Sequence, residues 1–147
     1  MTTKFRAMQT QEDWKWIWDR AHPLQCRDTA GIVAYDDETG KIQAACVFDS
    51  FTIDACSVHF AIDNPFVIRS GFLHEVARHL FINCNRKRIF GLIPSNNEKA
   101  HKLDLHIGFR EVARIPDAYA EGVDYIVVRM DRETSRWLEP IRERKAA

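Results

Sequence analysis

The stretch from Ala55 to Cys84 changes its hydrophobic period once, and that change limits the possible folds more than any other feature of the chain. Over Ala55–Asp63, Cys56, Val58, Phe60 and Ile62 alternate with Ser57, His59, Ala61 and Asp63, the two-residue period of a strand with one apolar and one polar face. Pro65 stops it, because proline cannot donate to a ladder and restrains its predecessor. From Arg69 to about Cys84, Leu73, Val76, Ala77, Leu80, Phe81 and Cys84 recur at the spacing of an amphipathic helix. Arg88–Ile93 then reads as a short strand ended by Pro94. A strand, a helix and a strand in succession imply a crossover, and so at least one parallel pair in the sheet.

The flanking segments add antiparallel strands. Thr10 and Asp13 start a first helix that runs to about His22 before Pro23, with Trp14, Ile17, Trp18 and Ala21 as its expected buried face. Gly31–Tyr35 and Lys41–Phe51 form a hairpin around the turn residues Asp36-Asp37-Glu38-Thr39-Gly40. Ser95-Asn96-Asn97-Glu98 is a capping box opening a helix whose stripe is Ala100, Leu103 and Ile107, with Gly108 as its C-terminal cap. Two more strands are expected near Phe109–Ile115 and Tyr125–Met130, joined by a loop at Pro116–Asp124. The expectation is one α/β (α+β) domain over residues 1–147, with a C-terminal extension at 131–147. Its central sheet is mixed and mostly antiparallel, with helices on both faces.

Composition excludes several function classes. At 147 residues, 46% of them apolar and 29% charged, the chain is long enough for one core and has the make-up of an ordinary globular protein. No window approaches the ~18 uncharged apolar residues of a membrane span. Met1-Thr2-Thr3-Lys4-Phe5-Arg6 lacks the apolar run of a signal peptide, so a cytoplasmic location is expected. Lys plus Arg and Asp plus Glu both number 21, which leaves no net field to gather nucleic acid or anionic lipid. The cluster Arg86-Lys87-Arg88 reads as a solvated turn, and Arg142 to Lys145 as a frayed end. Cys26, Cys46, Cys56 and Cys84 show no paired short spacing, so neither zinc nor a disulfide framework is indicated. Exposed aromatic residues near Trp16 or Trp137 would be candidates for a homodimer contact.

The element order, together with Asn97-Glu98-Lys99-Ala100-His101-Lys102-Leu103-Asp104-Leu105-His106-Ile107-Gly108-Phe109, resembles the GNAT superfamily of acyl-coenzyme A dependent N-acyltransferases from Phe5 to Met130. His59-Phe60-Ala61-Ile62-Asp63, Arg69-Ser70-Gly71-Phe72-Leu73, Gly122-Val123-Asp124-Tyr125 and Arg136-Trp137-Leu138 are also similar to the small GNAT-like proteins of tailed bacteriophages, which implies a host cytoplasm. The resemblance implies acetyl-CoA as cofactor and an amine-bearing acceptor, small molecule or protein.

Taken by itself, the junction at Arg69, Ser70, Gly71, Phe72 and Leu73 offers helix-start N–H groups, a glycine and an arginine to a pyrophosphate. By resemblance it is the family's pyrophosphate loop, reduced here to one glycine. Resemblance also implies that backbone N–H groups near Ile62 and Asp63 polarise the thioester and that Asn97 bonds the pantetheine arm. His59 and Asp63 are candidates for the general base. Asp104 stands where many family members carry the tyrosine that protonates the leaving thiolate. Four readings follow: a buried Asp104 with a raised pKa, a substitute at Tyr119 or Tyr125, an unassisted thiolate, or a non-catalytic coenzyme-binding or interaction module.

Overall fold

In the computed structural model, which describes residues 2–21 and 28–139, seven strands form one sheet in the order β1-β2-β3-β4-β5-β7-β6. They are β1 (Thr3–Ala7), β2 (Ala30–Asp36), β3 (Ile42–Asp49), β4 (Ala55–Ile62), β5 (Arg88–Pro94), β6 (Arg110–Ala120) and β7 (Val123–Asp131). The helices are α1 (Gln11–Ala21), α2 (Phe66–Arg69), α3 (Phe72–Ala77) and α4 (Glu98–His106). Every neighbouring pair is antiparallel except β4 and β5, which run parallel across the α3 crossover, as the period change requires. No helix among the described residues is long and apolar enough to cross a membrane.

The alternation on β4 assigns its two faces. Cys56, Val58 and the half-buried Phe60 and Ile62 join Cys46, Phe72, Phe81, Ile89 and Val128 in the main core, under α3 and α4. On the opposite face Ile17 of α1 packs on Val33, Ala45 and Val47. A capping arrangement starts α1: the Asp13 N–H donates to Thr10 Oγ1, and the Asp13 carboxylate accepts from the Gln9 and Thr10 N–H groups and from Arg6. Trp18 was expected in the buried stripe but is 50% exposed. With Ile17 fully buried at the centre, Trp18 lies about 100° around the helix, and Trp16 takes the inner place instead. The helix end near His22, Pro23 and Cys26, and the basic run from Arg142 to Lys145, lie outside the described residues.

Three further expectations are corrected. The helix expected from Arg69 to Cys84 is broken at Gly71, whose φ of 97° is left-handed, and beyond Ala77 it widens into a π-helical stretch at Arg78–Asn83. The cap of α4 is Asn97, whose side chain accepts the Ala100 N–H, rather than Ser95. Ser95 Oγ instead accepts from the Asp124 N–H at 2.9 Å. Most of the loop expected at Pro116–Asp124 belongs to β6 and β7. Register shifts between Ile115 and Ala120, so Pro116 sits in a bulge on an edge strand, where its missing donor costs no ladder bond. Asp117 closes that bulge, donating its N–H to Asp124 Oδ1 and accepting from the Gly122 N–H through its own carboxylate.

Candidate active site

The parallel ladder between β4 and β5 is short. Its registered pairs are Ala55↔Arg88, Cys56↔Ile89 and Ser57↔Phe90, after which the strands part. On the other side β4 stays paired with β3 to Ala44↔Ile62, and the Asp63 N–H donates to the Gln43 carbonyl. Strict alternation then turns the N–H groups of Ser57, His59, Ala61 and Asp63 toward β3, and those of Phe60 and Ile62 toward the opening. Of the two donors expected near the thioester, Ile62 faces the gap, whereas that of Asp63 is taken by Gln43.

Below the opening lies the start of α3. Its N–H groups at Phe72, Leu73 and His74 precede the first intrahelical bond, in which the Glu75 N–H donates to the Gly71 carbonyl. Phe72 and Leu73 are buried, so they can offer a ligand only their backbone, while Arg69 is exposed at the end of α2. Gly71 has a left-handed φ of 97°, and the missing Cβ would let an anion approach its backbone. The Ser70 hydroxyl donates to the Phe66 carbonyl at 3.3 Å. Asn97 uses its side-chain oxygen on Ala100, so its amide N–H groups are what remain for a ligand.

The titratable candidates separate onto the two faces of the sheet. Asp104 belongs to α4, over the main core, near enough to Cys46 for its charge to oppose ionisation of that thiol. Burial pushes the Asp104 carboxyl up to about 7. His59 lies on the α1 face, its Nε2 3.3 Å from Oδ2 of the buried Asp49. Asp63 shares that face, but its carboxylate is held by Arg20 at 3.1 Å, and the Arg20 guanidinium stacks 3.8 Å over the Trp16 ring. Tyr119 and Tyr125 meet edge to face at 5.6 Å on the β6–β7 hairpin. Alternation places Tyr125 on the face opposite Asp104, since its neighbour Ile126 is in the main core.

Asp49 escaped the sequence reading because it ends a strand of apolar residues and no spacing ties it to His59; only the β3–β4 register does. Cys46 and Cys56 are buried free thiols, with burial raising Cys56 to about 12 and Cys46 well above its ordinary value, so neither serves as a nucleophile at neutral pH. Near Trp16, Trp18 is 50% exposed, while Trp16 and Trp137 themselves are half-buried. Trp16 lies beneath Arg20, and the Trp137 indole N–H donates to the Ile107 carbonyl at 2.6 Å, completing the end of α4. An open cavity of about 240 Å³ lined by Phe5, Ile32, Phe48, Glu75 and His79 lies at the β1–β2 edge and includes none of these candidates.

Compared with known proteins, the chain matches no family model and no curated sequence. Its fold does have relatives. The spermidine/spermine N-acetyltransferase SpeG from Vibrio cholerae superposes with a TM-score of 0.71 at 12% identity, covering 90% of this chain and 94% of that one. A variant of the same enzyme gives 0.72 at 12% identity, over 94% and 97% of the two chains. A protein assigned as a phosphinothricin N-acetyltransferase gives 0.64 at 16% identity, over 88% and 98%. The chain therefore has the GNAT fold, a single α/β arrangement with a seven-stranded, mostly antiparallel sheet.

Proposed function

We propose that the chain is an N-acyltransferase that moves an acetyl group from acetyl-CoA to an amine by direct attack in a ternary complex. The observation that carries this reading is the parting of β4 from β5 after Ser57↔Phe90, with Asp104 over one face of the opening and the His59–Asp49 pair on the other. The residues fit the cofactor. Main-chain N–H groups at Gly71–Leu73, with Arg69 beside them and Ser70 at the turn, would hold its pyrophosphate, and Asn97 would bond the pantetheine arm. Acetyl-CoA supplies the activated acyl group.

The N–H groups of Phe60 and Ile62 face the gap and can hold an oxyanion, a contribution of a few kcal/mol per preorganised donor. His59 can remove the ammonium proton of an acceptor whose pKa is about 10.4, and Asp49 fixes the imidazole for that transfer. Asp104 keeps its proton near neutrality because its partial burial disfavours the charged form, so it can donate to a departing thiolate without a phenol. Asp63, tied to Arg20, fits a positioning role at the end of β4 better than that of the base. Tyr119 and Tyr125 remain on the acceptor side.

The acetyl donors and the amine acceptors of the structural neighbours support this reading at the level of the fold. The resemblance of short segments to phage-type proteins would place that action in a host cytoplasm. A panel of amines with acetyl-CoA tests it directly: thiol release that depends on an added amine is expected. Coenzyme binding without turnover on any amine would instead favour the non-catalytic module.

A further inference from the structure

The acceptor side of the sheet carries a pattern that the transferase reading does not require. Ile89 and Ile93 of β5, and Ile126, Val128 and Met130 of β7, point into the main core. Arg88, Phe90 and Leu92, with Val127, Arg129 and Asp131, therefore line the opposite face. The registers Phe90↔Arg129, Leu92↔Val127 and Arg110↔Arg129 bring Arg110 of β6 onto the same surface. Helix α1 covers β2, β3 and β4 on this side, and Leu92 beyond it is 41% exposed.

Three guanidiniums there share one carboxylate. Arg129 Nε stands 3.0 Å, Arg110 Nη2 3.1 Å and Arg88 Nε 3.7 Å from the carboxylate oxygens of Asp131. The adjacent Lys87 is already matched by Asp54. Two positive charges are left over on the edge of a chain whose total charge is zero. Between this cluster and His59 lie Phe90, Leu92 and Val127, all apolar. From β4 to β7 is two strand spacings, about 10 Å, where the strands pair, and more beyond Ser57↔Phe90, where β4 and β5 part; Arg110 on β6 lies one spacing further out.

We propose that this face selects an amine acceptor bearing a carboxylate or phosphate at least about 10 Å from its nitrogen across an apolar spacer. The anion is bound by Arg110 and Arg129, the spacer by Phe90 and Leu92, and the nitrogen is delivered beside His59. Planar guanidiniums bind such anions through paired, charge-assisted hydrogen bonds, and the same charges repel a second ammonium. The proposal rests on the transferase reading for the position of the nitrogen, but not for the anion site itself.

Three probes of equal chain length decide it: ω-aminooctanoate, octylamine and α,ω-diaminooctane. Each is measured by calorimetric binding to the coenzyme A-saturated protein and by thiol release with acetyl-CoA. At low salt, ω-aminooctanoate is expected to bind at least about tenfold more tightly than either competitor, the size of one charge-assisted contact, and to lose that advantage at high salt. Arg110→Gln and Arg129→Gln should each erase most of the preference while leaving octylamine binding unchanged. Arg110 is exposed, so its substitution does not threaten the fold. Equal binding of the three amines, binding of none, a preference for the diamine, or a preference untouched by Arg110→Gln overturns the proposal. A retained, Arg110-dependent preference without turnover upholds the anion site and overturns the transferase reading.

Discussion

The imidazole of His59 rests against the carboxylate of Asp49, Nε2 to Oδ2 at 3.3 Å, and the two residues come from adjacent antiparallel strands. Asp49 is buried and His59 is about one quarter exposed, so the carboxylate holds a ring that keeps one side open to solvent.

That relationship gives the first prediction. His59→Gln should lower kcat about 10²–10⁴-fold, the range for a positioned base, with little change in acetyl-CoA affinity. Asp49→Asn should lower kcat by less, since the imidazole loses the carboxylate that fixes its orientation. A His59→Gln enzyme with full turnover would remove the histidine from the mechanism.

Asp104 yields a paired prediction for rate and stability. Activity that needs its proton should fall as pH rises through about 7, and Asp104→Asn should cut turnover and abolish that limb. Its folded pKa is raised above the ordinary 3.8, so the folded state holds the proton more tightly than the unfolded chain. The stability linked to it is fully present below 3.8 and is lost as the pH rises to about 7. Denaturant titrations should show this decline, up to about 4 kcal/mol, in the parent and a flatter curve in Asp104→Asn. Asp104→Tyr should restore turnover to an Asn variant, because a phenol with pKa near 10 remains protonated.

Asp13 has the opposite sign. Arg6 and two backbone N–H groups hold its carboxyl down at about 2, below the ordinary 3.8. This stability is present above 3.8 and is lost as pH falls toward 2, about 2 kcal/mol in all. Asp13→Ala should lower Tm at neutral pH by removing the cap of α1 and leaving Arg6 unpaired, and the variant should be less sensitive to acid between pH 4 and 2. An unchanged Tm would show that α1 is held by the packing of Ile17, Trp14 and Trp16 without its cap.

These residues also show how far the sequence could be read. The period change at Ala55–Cys84 demanded the parallel pair, and the alternation on β4 put His59 and Asp63 on one face, as found. The Asp104 departure was visible because its neighbours in α4 follow a family spacing; its raised pKa depends on the core around it and was one of four readings. The break at Gly71 was hidden because Leu73, Val76 and Leu80 keep helical spacing through the π-helical widening. Pro116 suggested a loop, since its accommodation depends on hydrogen bonds between Asp117, Gly122 and Asp124 that no local propensity encodes. Partners distant in sequence, such as Asp49 for His59 or Asp131 for three arginines, exist only through strand register.

Gly71 separates backbone strain from ligand contact. At φ 97° a valine is strained by about 1–2 kcal/mol or more, so Gly71→Val should lose stability without any ligand. Gly71→Asn tolerates the left-handed conformation better, and should retain most of the stability while weakening acetyl-CoA binding. If both variants bind acetyl-CoA like the parent, Gly71 serves only the helix start.

The central claim is that the opening between β4 and β5 holds acetyl-CoA, and thermal unfolding with the cofactor tests it most directly. A ligand bound only by the native state contributes about 2.7 kcal/mol at 100 times its Kd, which for this size is a rise of about 5–10 °C in Tm. The account predicts a shift of that order with acetyl-CoA, reduced by Gly71→Asn. An unchanged Tm at millimolar acetyl-CoA would contradict it.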